Sequence, residues 1–442
     1  MVLAPAPGEG RRPPSKGGDE LDPRLCRRVL ERAESYRDEV AGLLADLIRI
    51  PSLSCDEERV IARARAAMEE AGFDEVRIDG LGSVIGRIGN GPTEIAMDAH
   101  IDTVDVGQRN DWSFDPFAGR ILDGKVWGRG AADQKGGMAA LILAGRMIKE
   151  LKLGGGCSLY VTGTVMEEDC DGLCWQHLIR EENLRPEVCV LTEPTGCRVY
   201  RGQRGRMEIE IEVHGRSAHA SAPERGKNAI YRMAELVKAI ERLAPQLPAD
   251  SFLGAGSMAV THFIGQGPSL CAIPDVARAH VDRRLTWGET EDSVMAAIEN
   301  VVRHFPWAQE EDAVRVAVKR YARAAYTGKI YPTQAVFPAW TLERDHRAVR
   351  AARQVCRELF TAGEPFGGTG PAADASVCEG AERWGFSTNG VAICGLHGIP
   401  CVGFGPGFEE QAHAPDESCP IDHLVKAAAF YACFPQAYCA NA

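Results

Sequence analysis

The chain has 442 residues, longer than a single hydrophobic core usually serves, so two domains are expected. Hydrophobic residues at 45% and charged residues at 25% describe a soluble globular protein, and a net charge of −12 argues against nucleic acid or an anionic membrane as partner. The 15 cysteines include no Cys-x-x-Cys pair, which fits neither a zinc ribbon nor a disulfide framework and points to a reducing cytoplasm.

Residues 1–24 are rich in Pro, Gly and charge and read as a disordered tail. The Arg11-Arg12 pair has no apolar run behind it to make an export signal, and no segment reaches the ~20 apolar residues of a membrane span. From Leu25 to Gly72 the spacing predicts helices broken at Pro51-Ser52. Strands follow at EIAMDAHID, SLYVTGTVM and EVCVLTE, with a helix in QKGGMAALILAGRMIKEL, a βαβ rhythm that predicts an α/β sheet with helices on both faces. Near Arg206 the pattern changes to the period-two alternation of MEIEIEVHG. Strand, helix, two strands, helix and strand then make a ferredoxin-like α+β unit over 206–326, inserted between a first part at 25–205 and a second at 327–442. The small-residue stretch 367–382 suggests no chemistry.

Side chains two apart on a strand share a face, so His100 and Asp102 emerge together: the imidazole can ligate metal while the carboxylate accepts the other ring N–H. Asp133 lies between a short strand and a helix, where a carboxylate faces the ligand-binding edge of an α/β sheet or caps the helix. Glu167 and Glu168 end a strand, and adjacent carboxylates need a cation, protonation or full solvation. Glu193 ends another strand before Pro194, and His413 follows the glycine-rich GFGPGF. Singly, each fits a strand end, a cap or a solvated acid. Jointly, nitrogen and carboxylate donors without thiolates suit catalytic zinc, manganese or cobalt.

These motifs carry a resemblance. MDAHIDTV, WSFDPFAGRILDGKVWGRGAADQKGG, TVMEEDCDG, LTEPTG, GRSAHASAPERGKNA, AIPDVARAHVDRRLTWGET and AHAPDE occur in the order found in succinyl-diaminopimelate desuccinylase, acetylornithine deacetylase, glutamate carboxypeptidase and aminoacylase. Within that family of dinuclear-zinc amidohydrolases and peptidases the chain most resembles the YgeY-like, selenium-metabolism-linked hydrolases. The resemblance covers about Leu25 to Tyr431 and implies a zinc-peptidase-like mixed sheet with the 206–326 unit as lid and dimerisation domain. It implies that Asp133 bridges two metals, with His100 and Glu193 completing one site and Glu168 and His413 the other. Glu167 becomes the general base, His219 polarises the scissile carbonyl across a homodimer, and the Asp133–Gln134 peptide is cis. Arg284, beside Arg283, matches the lid arginine for a substrate carboxylate. The carboxylate-binding glycine loop is replaced by Ser387-Thr388-Asn389-Gly390, making Asn389 a candidate substrate contact, and Cys271-Ala272 stands where an Asn is common.

The expectation is a cytoplasmic hydrolase holding two divalent metal ions, zinc first and cobalt or manganese as alternatives. Its substrate is a small carboxylate-bearing molecule with a linear amide bond: an N-acyl amino acid, a dipeptide or an N-carbamoyl compound. The other reading, a catalytically silent metal-binding scaffold, needs a missing ligand or base, and none is missing from the sequence.

Overall fold

The computed structural model describes residues 22–153, 156–360 and 382–440; most of the expected tail and all but Glu382 of the 367–382 stretch lie outside them. The expected tail runs two residues too far, because α1 (Pro23–Ser35) already starts at Pro23, with the Asp22 carboxylate accepting from the Arg24 N–H. Proline suits this first helical position, where its missing N–H has no partner to lose. Next come α2 (Arg37–Ile48), α3 (Glu58–Glu70), β1 (Glu75–Ile78), β2 (Val84–Ile88), β3 (Thr93–His100), α4 (Lys135–Leu151), β4 (Cys157–Thr164), α5 (Leu173–Arg180), β5 (Val188–Leu191) and β6 (Tyr200–Gln203).

The inserted unit contains β7 (Gly205–His214), α6 (Ala229–Leu243), β8 (Ser257–Gln266), β9 (Val276–Leu285), α7 (Glu291–Arg303) and β10 (Val314–Val318). The chain then completes the first body with β11 (Trp340–Thr341), α8 (Arg347–Phe360), β12 (Cys401–Gly403) and α9 (Ile421–Ala440).

The larger sheet runs β1-β2-β4-β3-β5-β12-β6-β11, with Glu382–Trp384 beside β6. Its centre is parallel: β3 pairs with β4 and β5, and β12 pairs with β5. Both faces are covered, which is why these strands read as continuous apolar runs. Ile95, Met97, Val188 and Val190 pack into one core with residues of α1–α4, α8 and α9. Ala96, Cys189 and Leu191 point the other way, against α5 and Ala392–Ile393.

The smaller sheet is β8-β9-β7-β10, antiparallel throughout, an order that makes the unit ferredoxin-like. Met207, Ile209, Ile211 and Val213 of β7 alternate inward against Met233, Leu236, Val294 and Ile298 of α6 and α7. On β9 the inward set is Ala277, Ala279, Val281, Arg283 and Leu285. Tyr326 donates to the Gly82 carbonyl at 2.9 Å and so rests on the first body, although Val336–Phe337 still pairs with β7.

Candidate metal centre

His100 is the last residue of β3, Glu167 and Glu168 follow β4, Glu193 follows β5, and His413 lies beyond β12. The four parallel strands therefore deliver their polar residues to one edge, the carboxyl edge where open α/β sheets bind ligands. Asp133 reaches it from the turn before α4, and its peptide bond to Gln134 is cis. Gln134, not Asp133, occupies the cap position of α4, so the carboxylate is free for the site.

Two groups of possible ligand atoms share Asp133. His100, Asp133 and Glu193 form one, and Asp133, Glu168 and His413 the other, with the donor atoms of each group within 4.8 Å of one another. Asp133 turns one oxygen to each side: Oδ1 is 2.9 Å from His100 Nε2, and Oδ2 is 3.4 Å from His413 Nε2. His100 Nε2 is 3.7 Å from Glu193 Oε1, and His413 Nε2 is 3.0 Å from Glu168 Oε2. Glu167 stands outside both groups, with Oε2 3.8 Å from His100 Nε2. The two adjacent glutamates, alike in the sequence, thus differ in position.

So many buried carboxylates are costly without a cation. Burial drives Glu167 and Glu193 well above the ordinary carboxylate range, against the pull of His100, and raises Glu168 as well. Burial acts the same way on Asp133, but the hydrogen bond and charge of His100, with His413 and Arg129, outweigh it and hold the group low. Oε1 of Glu167 and Oε1 of Glu168 are buried with no hydrogen-bond partner among the described residues. Acceptors left over around two nitrogen-carboxylate triads are what divalent cations with N and O preferences satisfy, so the residues fit two such ions.

A pH dependence follows. Burial, reinforced by the charge of Asp102, pushes Glu57 up to about 8, and burial pushes Glu417 up to about 7 against the charge of Arg129. Between the ordinary value of 4.5 and these values the folded state holds more protons than the unfolded state, so stability falls as pH rises. His423, lowered by burial to about 4, opposes this only up to its ordinary 6.5. Calorimetry of the metal-free protein is expected to give a lower Tm near pH 7 than near about pH 5.5. The gain in Tm on adding metal grows over the same range, because metal displaces ligand protons.

The surroundings of the ligands correct one expectation. His100 Nδ1 lies 3.0 Å from the main-chain carbonyl of Asp102 and 3.6 Å from its carboxylate, so the ring N–H is donated to the backbone. The fully buried Asp102 carboxylate is taken instead by the N–H groups of Glu167 (3.2 Å) and Glu168 (3.1 Å) and by the Ser54 hydroxyl (2.7 Å). One residue upstream, the Met166 N–H donates to Glu57 Oε1 at 3.1 Å, holding a left-handed bend at φ 62°.

Glu417 was not singled out by sequence, though it stands four residues after His413 in AHAPDE. It accepts from the N–H groups of Gly130 (2.9 Å), Ala132 (2.8 Å) and Asp133 (3.0 Å) and from Arg129 (2.8 Å). Arg129 also donates to the His413 carbonyl at 3.3 Å, so one buried ion pair ties together the loops of both triads. At about pH 8, where Glu417 is ionised, Glu417→Ala leaves Arg129 buried and uncompensated, and an equilibrium unfolding measurement is expected to show a loss of about 3–5 kcal/mol. Gly405 sets another close approach: a Cβ there would lie 2.0 Å from the Glu193 carbonyl oxygen.

Asn389 is corrected as a substrate contact, because its amide is buried and fully used. Nδ2 donates to Asp98 (2.8 Å) and Thr164 (3.1 Å), while Oδ1 accepts from the Gly172 N–H (3.0 Å) and the Cys174 thiol (3.2 Å). Arg283 points into the lid core beside Glu289, whereas Arg284 lies on the opposite face of β9, 2.8 Å from Asp282. His219 is exposed on the lid, its Nδ1 accepting from the Ser221 N–H at 3.1 Å.

Comparison with known proteins places this geometry. The profile of Peptidase family M20/M25/M40 matches residues 96–437. The chain is 48% identical over 413 residues to the uncharacterized protein YgeY of Escherichia coli K12, covering 93% of this chain and 98% of that protein. It is 32% identical over 257 residues to a succinyl-diaminopimelate desuccinylase of Cereibacter sphaeroides, 55% of this chain and 67% of the relative. Among solved structures it is similar to the YXEP protein of Bacillus subtilis, described as a dinuclear metal binding peptidase from the M20 family. That likeness has a TM-score of 0.61 at 15% identity, over 91% of this chain and 98% of the other. A profile match over most of the length, together with a near-full-length relative at this identity, means that the chain belongs to peptidase family M20/M25/M40, the metal-dependent hydrolases of amide bonds.

Proposed function

We propose that the chain hydrolyses the linear amide bond of a small substrate bearing a free carboxylate: an N-acyl amino acid, a dipeptide or an N-carbamoyl compound. The observation that carries this reading is Asp133 shared between two nitrogen-carboxylate triads with Glu167 buried beside them and outside both. His100, Asp133 and Glu193 would hold one divalent ion and Asp133, Glu168 and His413 the other, zinc first and cobalt or manganese as substitutes. When bound, such ions acidify water and polarise a carbonyl.

The chain's own residues supply the rest. Glu167 takes a proton from the attacking water and returns it to the leaving amine, a role suited to a carboxylate whose buried position raises its proton affinity. Asp102 fixes the main chain of Glu167 and Glu168, and Glu417 fixes that of Asp133. Arg284, on the outer face of β9, takes the substrate carboxylate after exchanging its contact with Asp282. The relative named as a succinyl-diaminopimelate desuccinylase supports an N-acyl substrate with free carboxylates.

The lid offers β8, which among the described residues is an edge strand paired with β9 alone, with exposed Phe263 and Ile264 and a fully exposed Leu270 just beyond it. A second copy of the chain covering this edge makes the homodimer through which His219 reaches the partner's site to stabilise the oxyanion. The reading places the enzyme in the cytoplasm. Its test is hydrolysis of the three substrate classes by protein reconstituted with zinc, manganese or cobalt. Turnover that chelation abolishes and metal restores supports it, whereas a chain that binds no divalent metal is a scaffold.

A further inference from the structure

The acidic run after β4 alternates in its use. Glu167 and Glu168 face the metal centre, whereas Asp169 and Asp171 face the two stretches where the chain passes between the bodies. On the outward passage Arg206, largely buried and lying 5.0 Å over the Phe337 ring, donates to Asp171 at 3.2 Å. Asp171 also accepts from the Ser387 hydroxyl. On the return passage the Tyr321 hydroxyl donates to Asp169 at 2.8 Å, and Arg323 pairs with the same oxygen.

The contacts close into a ring. Tyr321 Oη lies 3.7 Å from Cys55 Sγ, the Cys55 N–H donates to Glu57 at 2.9 Å, and the same Glu57 oxygen accepts from Met166, just before Glu167. At the far end of the run the Gly172 N–H is held by Asn389. The segment carrying the base is therefore anchored at both ends to the first body and in the middle to both lid crossings.

We infer that Asp169 and Asp171 are positioning residues that lock the Glu167–Glu168 segment to the two lid crossings, so that the general base is in place only while the lid holds its present orientation. This rests on the proposed role of Glu167. A shift of the base by ~1 Å costs about 10²-fold in rate, whereas the ligands on the other strands keep their own supports.

The test uses the full-length, metal-loaded protein and the variants Asp169→Asn, Asp171→Asn and Arg206→Lys, with the charge exchange Asp171→Arg/Arg206→Asp as the rescue. Expected for each Asn variant, assayed at saturating metal, is a kcat lower by about 10- to 100-fold and KM within about threefold, with both metals still bound because Glu168 shares its ion with Asp133 and His413. Amide hydrogen exchange across 166–172 accelerates by at least about tenfold without a change elsewhere in the first body. The charge exchange restores slow exchange in that segment, and Arg206→Lys, which keeps the charge, lies between wild type and Asp171→Asn.

Wild-type kcat or unchanged exchange in both Asn variants overturns the inference. So does full recovery of kcat when metal is added in excess, which would make the two residues supports of Glu168 as a ligand and not of the base. The exchange measurement needs no substrate, so a screen in which the wild type cleaves nothing refutes the proposed function and leaves the lock separately tested.

Discussion

Replacing Glu167 by Gln is expected to lower kcat by about 10²–10⁴-fold while the protein keeps two metals per chain, because the amide preserves shape and removes the proton acceptor. Steady-state kinetics with metal analysis of the same preparation checks it. The distinction from Glu168 makes the expectation sharp: Glu168 belongs to the triad with Asp133 and His413, and Glu167 to neither triad. Glu168→Gln should lose metal along with rate. If Glu167→Gln retains wild-type turnover, or if it loses metal as Glu168→Gln does, the assignment of base and ligand is wrong.

The second large effect belongs to Asp133→Ala. Its two oxygens serve both triads, so one substitution removes a ligand from each, and the metal content after dialysis is expected to fall from two per chain to less than one. His413→Ala, which touches only one triad, should lose one. The loop itself survives in Asp133→Ala, since the N–H groups of Gly130, Ala132 and residue 133 are held by Glu417 irrespective of the side chain. Comparable Tm values for the two metal-free variants would separate ligand loss from unfolding, and two retained metals in Asp133→Ala would end the bridging assignment.

Much of this site was legible in sequence because its ligands stand at the ends of strands that announce themselves. An apolar run bounded by His-x-Asp, by Glu-Glu or by Glu-Pro marks both the strand and the residue it presents. What could not be read depends on approach between distant segments. Glu417 shows only its place near His413; that it receives three N–H groups from a turn 280-odd residues earlier follows from Ser418–Pro420 pairing with Lys125–Trp127 just before that turn. Asn389 failed for the complementary reason. A polar residue in a Ser-Thr-Asn-Gly loop looks available, and only the packing of that loop over Asp98 and Gly172 uses up its amide. Period-two alternation places Arg283 in the lid core and Arg284 on the opposite face once the core face of β9 is known. The inserted unit was readable in its strand and helix order, while its hold on the acidic run through Arg206, Tyr321 and Arg323 was not, since arginine and tyrosine near a domain crossing carry no signature of their partner.

The position of β12 between β5 and β6 has a consequence for how the molecule is made. The lid's core draws on residues from Met207 to Val302 and is complete in one continuous stretch of chain. The larger sheet stays split until Cys401–Gly403 slots into its middle, and the second triad lacks His413 until about ten residues later. As the chain leaves the ribosome the lid can therefore fold while the body that bears it is still open, and the second triad is complete only once His413 has emerged.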